Sequence, residues 1–300
     1  MFELTENMRV KQAEARGSTD EKKFAQYLLD VGNGRVPTVP CGGEEHMIRI
    51  PEELKSKASN LKDFFDEIYP SLHQRHKEAM KNLDDKRHEA WLMERAIISS
   101  TNAECERVNE IGVELLPGKP MVYHSSDRVL NESEAFNYPT ELLWKITSGS
   151  MPPHTLVLKQ GTPIMLLRNL DPSHGHVNGA RYIVLAMTER AILARLATGE
   201  HKGEELLIPR IRFHPKDRKI PFEMERRQFP IRICFSITSN KSQGQTLGKV
   251  GINATTDFFS HGQDYVAKSR VGSSRDLKIF KPADDPFPSL MKNVVFPGLL

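Results

Sequence analysis

A polar loop follows a near-continuous apolar stretch of the chain. Residues 230–238 are nearly all apolar and predict one buried strand. The loop after it carries hydroxyl, amide and ammonium groups, at Thr238, Asn240, Lys241, Ser242, Gln243, Gly244 and Thr246. Such groups can bond phosphate or sugar oxygens, and open α/β sheets bind ligands at the carboxyl ends of their strands. A polar turn without a ligand would have the same composition, so both interpretations stay open.

A second polar stretch, residues 261–271, contains Gln263 and Arg270. Its spacing predicts a helix over 265–271, with Arg270 near the end. A cation in the last turn of a helix is favoured by the helix dipole. A guanidinium group is also well suited to contact a phosphate. The sequence alone does not separate these two roles.

Two other patterns resemble nucleotide-binding motifs but fail in detail. Residues 244–249 resemble a phosphate-binding loop, yet they are one residue short, and Val250 stands where Ser or Thr must hold Mg²⁺. Residues 64–67 end in an acidic pair, but their local period is helical. Neither His73 with His76 nor His174 with His176 has a third ligand in view, so we predict no metal site.

The elements that would position these residues form an α/β pattern. Helical periodicity covers residues 20–31, 61–69 and 72–93. An apolar run at 96–98 precedes a helix that Thr101 and Asn102 can cap and that continues to Leu115. This is half of a βαβ unit and indicates an α/β sheet.

The middle of the chain has a different pattern. Short β-like runs separated by turn residues occur at 155–158, 163–167, 181–187, 191–196 and 206–208. Five strands so close together predict a small antiparallel barrel. A strand at 250–253 then suggests that the first sheet resumes. We therefore predict an α/β domain from 1–150 and 230–300, with the barrel inserted at 151–229.

The composition sets broad limits. With 300 residues, 38% hydrophobic and 27% charged, the chain is long and apolar enough to fold around a core. A formal charge of +3 excludes a uniformly basic protein but permits a local basic surface. Three scattered cysteines suit a reducing compartment. The sequence has neither a membrane-spanning run nor a secretory pattern at its start, so we expect an intracellular protein without membrane contact.

Three stretches resemble motifs of the petite-integration-frequency (PIF-type) helicases of superfamily 1, especially those of Helitron transposons. Residues 4–9 resemble motif IV, residues 238–246 motif V and residues 262–270 motif VI. The resemblance covers nearly the whole chain, in the order of the family. It implies a second RecA-like motor domain with an inserted small antiparallel SH3-like β-barrel.

The resemblance also implies roles for individual residues. Arg9 and Arg270 would be arginine fingers directed at ATP, and Asn7, Gly244 and Gln263 would lie on the nucleotide side. The motif V residues would bind DNA together with Asn102 and Arg181. Apart from the resemblance, Arg227 is a candidate contact to the phosphates of single-stranded DNA. The cofactors would be ATP and Mg²⁺, and the partner would be single-stranded DNA, along which family members move 5′ to 3′.

Motifs I to III, which hold the ATP phosphates, are absent from these 300 residues. We therefore expect the C-terminal half of an ATP-dependent DNA helicase, inactive without a first motor domain as its partner. Its work would be DNA repair, recombination, telomere maintenance or transposition, in the nucleus or the mitochondrion. A non-enzymatic single-stranded DNA-binding module and an inactive transposon remnant stay open. The sequence does not indicate an oligomeric state.

The sequence departs from the family at three apolar positions. Asp264 and Lys268 replace apolar residues of motif VI, and Ser239 replaces one of motif V. Burial of Lys268 would cost several kcal/mol unless its ammonium reaches solvent or is neutralised.

Overall fold

The computed structural model describes residues 19–81, 86–147, 151–215 and 220–296. Their helices are α1 Thr19–Gly32, α2 Leu61–Ile68, α3 Leu72–Ala79, α4 Arg87–Met93, α5 Asn102–Leu115, α6 Glu132–Ala135, α7 Thr140–Lys145, α8 Ser239–Ser242 and α9 Gln263–Lys268. The strands are β1 Met47–Arg49, β2 Arg95–Ser99, β3 Met121–His124, β4 Ser126–Val129, β5 Thr155–Leu158, β6 Pro163–Leu166, β7 Arg181–Met187, β8 Ala191–Leu196, β9 Glu205–Pro209, β10 Ile211–Phe213, β11 Met224–Gln228, β12 Ile231–Ile233, β13 Ser236–Thr238, β14 Lys249–Asn253, β15 Leu277–Phe280 and β16 Leu290–Lys292.

These elements form two compact units. Unit 1 comprises the described parts of Met1–Pro70, Glu94–Val108 and Ser236–Leu300, and unit 2 those of Ser71–Met93 and Asn109–Phe235. The chain is a mixed α/β protein, as the sequence pattern predicts. The predicted division at residues 150 and 230 stays a prediction.

Unit 1 is built on a four-stranded parallel sheet in the order β13-β2-β14-β15. Its central strands are buried on both faces, as their near-continuous apolar sequences predict. Helix α2 starts at the cap Asn60, whose side chain accepts from the backbone N–H groups of Lys62 and Asp63. It buries Phe64, Phe65 and Ile68, and it contacts both β2 and β14.

Helix α5 begins where the sequence predicts. The Thr101 hydroxyl accepts a hydrogen bond from the backbone N–H of Glu104 at 3.3 Å, which satisfies one free donor of the first turn. The strand β2 and this helix thus form the predicted strand-to-helix unit, and they place Asn102 just beyond the carboxyl end of β2.

Unit 2 contains a five-stranded antiparallel sheet in the order β12-β6-β7-β8-β9. Residues of its strands, among them Leu166, Tyr182 and Val184, form one apolar core together with Leu158 of β5. The five strands predicted between 155 and 208 are present as β5 to β9, but only β6 to β9 belong to this sheet, whereas β5 pairs with β3. Within the described residues the ladder runs from β12 to β9 without closing, so the SH3-like barrel stays a prediction.

The prediction of a single strand at 230–238 is wrong. Ile231–Ile233 pairs antiparallel with β6 in unit 2, whereas Ser236–Thr238 pairs parallel with β2 in unit 1. Cys234 and Phe235, both buried, separate the two strands. A continuous apolar run does not reveal where the chain leaves one sheet for another, because both strands are buried.

Unit 2 also contains a three-stranded antiparallel sheet in the order β10-β11-β4 and the pair β3-β5. In unit 1, β1 pairs with β16. No described helix has the length and apolar character that a membrane span requires. The described residues contain no group of three or more His, Cys, Asp and Glu side chains placed to hold a metal ion.

Candidate functional site at the carboxyl edge of the parallel sheet

The carboxyl ends of three parallel strands meet at one edge of unit 1. Strands β2, β13 and β14 end there at Ser99, Thr238 and Asn253. Side-chain hydrogen bonds stabilise the loops that follow these strands. The Ser100 hydroxyl donates to the carbonyl of Thr256 at 2.9 Å, and the buried Asn253 amide donates to the Glu104 carboxylate at 3.3 Å.

The motif V loop begins at this edge with the short helix α8. Its two serines are buried and hold the loop from inside. The Ser239 hydroxyl donates to the carbonyl of Gln263 at 2.8 Å, and the Ser242 hydroxyl donates to the carbonyl of Ser239 at 2.7 Å. The Ser239 departure from the family therefore adds a polar link to α9 and does not leave an unpaired hydroxyl.

Burial divides the predicted DNA-binding residues of the loop into two groups. Ser242 faces inward, so its hydroxyl is not available to a ligand. The remaining members have surface in contact with solvent, fully at Asn240, Gln243 and Thr246 and partly at Thr238 and Lys241. Gly244 is exposed with φ +81°, a left-handed conformation that glycine adopts without strain.

Arg270 joins the motif VI helix to the motif V loop. Two residues beyond α9, its guanidinium is partly exposed and donates to the carbonyls of Ser242 (3.4 Å) and Gln245 (3.1 Å). It also donates to the carbonyl of Val266 at 2.7 Å and to the Ser269 hydroxyl at 2.7 Å. At least four of its five N–H donors are thus engaged within unit 1.

The other predicted nucleotide-side residues lie in different surroundings. The Gln263 side chain is buried, and its oxygen accepts from the backbone N–H groups of Phe259 and Ser260 at 3.2 Å each, so it stabilises the turn before α9. Asn102 is partly exposed at the start of α5, on the same sheet edge as the loop. Asn7 and Arg9 lie outside the described residues.

Arg181 lies in unit 2 and is 1% exposed. Its guanidinium donates to the backbone carbonyls of Met93 at 2.9 Å and Cys234 at 3.3 Å. Because the charged end is buried among backbone acceptors, Arg181 cannot contact a DNA phosphate without leaving the core. Its position indicates a structural role, and we do not retain it in the proposed DNA-binding set.

The two charged residues of motif VI pair with each other. The Lys268 ammonium lies 2.7 Å from the Asp264 carboxylate, and both side chains are fully buried. It also lies 5.5 Å from the centroid of the Tyr27 ring. Burial opposes the charge of Lys268, but the Asp264 carboxylate more than offsets this, so the net shift of the Lys268 pKa is upward.

Sequence reasoning missed two residues of the sheet edge, Glu104 and Asn253. Both are polar, buried and hydrogen-bonded at the ends of elements in the parallel sheet. Asn253 ends an apolar strand pattern, and Glu104 lies in the first turn of the helix that follows β2. The pairing of β2 with β14, which brings the two together, cannot be read from the order of residues.

Comparison with known proteins relates the chain to one group of DNA helicases. Residues 141–187 match the family described as DNA helicase Pif1, 2B domain. The chain is 33% identical over 130 residues to ATP-dependent DNA helicase PIF6 of Trypanosoma brucei brucei and 30% identical over 200 residues to ATP-dependent DNA helicase PIF1 of Xenopus laevis. The chain is thus similar to the PIF1-type DNA helicases. The resemblance predicted from motifs is thereby confirmed, and the matching region is the C-terminal part of such a helicase.

The matches to PIF1-type helicases cover limited shares of each protein. The aligned residues are 41% of this chain and 16% of the Trypanosoma protein, and 62% of this chain and 30% of the Xenopus protein. The chain therefore spans less than a third of the length of these relatives. A crystal structure of the Pif1 helicase from Candida albicans is 23% identical, with a TM-score of 0.49 over 69% of this chain and 52% of that one.

Proposed function

We propose that this chain is the second RecA-like motor part of an ATP-dependent DNA helicase of the PIF1 type, and that it needs a first motor domain to hydrolyse ATP. The observation that carries the proposal is the contact of Arg270 with the motif V loop. The loop side chains offer DNA-binding groups, and the arginine offers a phosphate-binding group. DNA-binding groups and a phosphate-binding group thus lie in one hydrogen-bonded cluster, as a helicase motor requires.

On the DNA side, the loop suits the backbone of a single strand. Asn240, Gln243 and Thr246 expose amide and hydroxyl groups, and Lys241 adds a positive charge. Groups of this kind bond phosphate and sugar oxygens, and they do so without regard to the base sequence. We therefore assign these residues, together with Thr238 and Asn102, to the DNA contact.

On the ATP side, the same guanidinium would link nucleotide binding to the loop. Arg270 uses at least four of five donors on Val266, Ser242, Gln245 and Ser269. To donate two parallel bonds to a γ-phosphate, it must release part of this set. Release from Ser242 and Gln245 would loosen the loop, so ATP and DNA would be coupled through one side chain.

The chain fits ATP only in part. Arg270 can stabilise charge that develops on a transferred phosphoryl group, which is the chemistry that an arginine finger supplies. Among the described residues no cluster of carboxylates or imidazoles is suited to Mg²⁺. Any Mg²⁺ and the rest of the triphosphate would therefore be held by a first motor domain. Such a protein would act in the nucleus or the mitochondrion, where its DNA substrate lies.

Binding of a fluorescein-labelled oligo-dT to the chain tests the DNA assignment. We expect weak affinity that falls steeply between about 50 and 200 mM salt, because the contacts are to phosphates. Lys241→Ala should lower the affinity and reduce the slope of log K against log salt by about 1. Lys62→Ala, which removes an exposed lysine from α2, is the matched control and should change neither. Equal binding by the wild type and Lys241→Ala would refute the loop assignment.

A further inference from the structure

The outer face of the three-stranded sheet in unit 2 is rich in arginine. Strand registers place Arg212 opposite Arg227 and Glu225 opposite Arg128. Because side chains alternate along a strand, these residues share one face of the sheet. That face consists of Ser126, Arg128, Arg212, His214, Glu225 and Arg227.

Two guanidinium groups and one imidazole share the Glu225 carboxylate on this face. Glu225 lies 3.0 Å from Arg128, 3.8 Å from Arg212 and 3.1 Å from His214. Burial opposes its ionisation, but hydrogen bonds from Arg128 and His214 hold the pKa of Glu225 below its usual value. The side chains of Arg128 and Arg212 are 63% and 65% exposed, so their positive charges point to solvent. Within the described residues, Arg227 is exposed and has neither an ion pair nor a side-chain hydrogen bond.

This arrangement is not what stability alone would favour. Like charges directly opposite each other on neighbouring strands are destabilising, and Arg212 and Arg227 are such a pair. The inner face of the same sheet shows the contrast. There Arg226 is fully buried, and its guanidinium bonds both oxygens of Asp127, at 3.0 and 3.1 Å from Nε. The outer arginines lack an equivalent set of anions.

We propose that this outer face binds the phosphate backbone of duplex DNA. A polyanion supplies a counter-charge for Arg227, and a further one for Arg212, which shares Glu225 with Arg128 and His214. The face carries no Trp, Tyr or Phe on which unpaired bases could stack, which favours recognition of the backbone over recognition of a single strand. A double helix presents twice the phosphate density of one strand along its axis. The choice of DNA as the polyanion rests on the proposed function, whereas the charge of the face does not.

Anisotropy measurements with a labelled duplex and a labelled oligo-dT of equal length test the proposal on the full chain. The double variant Arg212→Ala/Arg227→Ala should bind the duplex about 10-fold more weakly and lower its salt slope by about 2. Its affinity for oligo-dT should not change. Arg212→Lys/Arg227→Lys, which keeps both charges, should retain duplex affinity and salt slope.

The comparison with Lys241→Ala separates this proposal from the proposed function. If the arginine variant loses duplex affinity while Lys241→Ala leaves oligo-dT binding intact, the result supports duplex binding by the outer face and refutes the assignment of the motif V loop to DNA. If the arginine variant keeps its duplex affinity, or loses affinity for duplex and single strand equally, the proposal that the outer face binds duplex DNA is wrong. If thermal unfolding shows that the double variant is misfolded, Arg227→Gln alone decides, because its guanidinium supports no described contact. A loss of duplex affinity in that variant supports the proposal, and no change overturns it.

Discussion

Asp264 and Lys268 form a buried ion pair one turn apart on α9. Each ion loses its hydration, and a mutual contact at 2.7 Å with full burial must compensate for that loss. The second oxygen of Asp264 has no hydrogen-bond partner among the described residues. The pair is therefore incompletely satisfied, and its net contribution to stability should be small even though each member depends on the other.

We expect Lys268→Ala to destabilise the protein by about 3–5 kcal/mol, because it leaves a carboxyl group buried without its counter-ion. Replacement of both members by apolar residues, Asp264→Leu/Lys268→Met, should be neutral or stabilising by about 1–4 kcal/mol. Urea unfolding followed by circular dichroism measures both.

The exposed pair of Arg275 and Asp20, at 3.2 Å, provides the control for Lys268→Ala. Its loss in Arg275→Ala should cost at most about 1 kcal/mol. If Lys268→Ala lowers the free energy of unfolding no more than Arg275→Ala does, the prediction that Asp264 depends on Lys268 is wrong.

At single positions, the chemical groups of a site could be predicted from the sequence, but the burial of each side chain could not. The polar character of the motif V loop correctly pointed to a surface with Asn240 and Thr246 exposed. The same reasoning assigned Ser242 and Arg181 to DNA, although both are buried. Both side chains donate to backbone carbonyls. The partners of Arg181, Met93 and Cys234, lie far away in the sequence, so a one-dimensional pattern does not reveal them, whereas Ser242 donates to Ser239 within the same loop.

At the scale of elements, apolar periodicity predicted helices α1, α2 and α5 and strands β6 to β9 of the five-stranded sheet, but not the short helices α6 and α7. It missed β4 and β11, where an arginine-rich outer face and the buried Arg226–Asp127 pair obscure the alternation. It also merged β12 with β13, as described above. Patterning therefore located elements with an apolar face and failed where buried charges or a change of sheet occur.

The packing of α2 on the parallel sheet gives a prediction at this scale. A Cβ atom at Gly251 of β14 would lie 2.7 Å from Phe64 Cζ and from Ile68 Cγ1. Gly251→Ala should therefore overpack the interface and destabilise the protein by about 1–3 kcal/mol. Phe64→Leu should cost less in the Gly251→Ala background than in the wild type, since it relieves the contact.

Gly272 is the matched control, because a Cβ there would meet nothing within 4 Å and its φ is not positive. Gly272→Ala should be neutral or stabilising by about 0.4–1 kcal/mol. Equal unfolding free energies for the two alanine variants, measured in urea, would contradict the close approach of α2 to β14.

At the scale of the whole molecule, the resemblance to PIF1-type helicases could be predicted from the order of the motifs, and comparison confirmed the resemblance. The motifs could not reveal the composition of the units. The described part of unit 2 starts well before residue 151, with Ser71–Met93, so segments far apart in sequence share one compact body. Contacts between such segments decide this, and no local pattern records them.

The last prediction concerns ATP. Phosphoryl transfer needs groups that hold the β- and γ-phosphates, ligands for Mg²⁺ and a positioned water, and an arginine finger adds about 10³–10⁵ in rate only when these are present. The 300 residues contain no G-x-x-x-x-G-K-[ST] sequence. We therefore expect the isolated chain to show no ATPase activity above background, with or without oligo-dT, in a coupled assay. Arg270→Ala serves as the control for a contaminating enzyme, whose activity it would leave unchanged. Hydrolysis that persists through purification and disappears in Arg270→Ala would show that this chain assembles a complete phosphate site by itself.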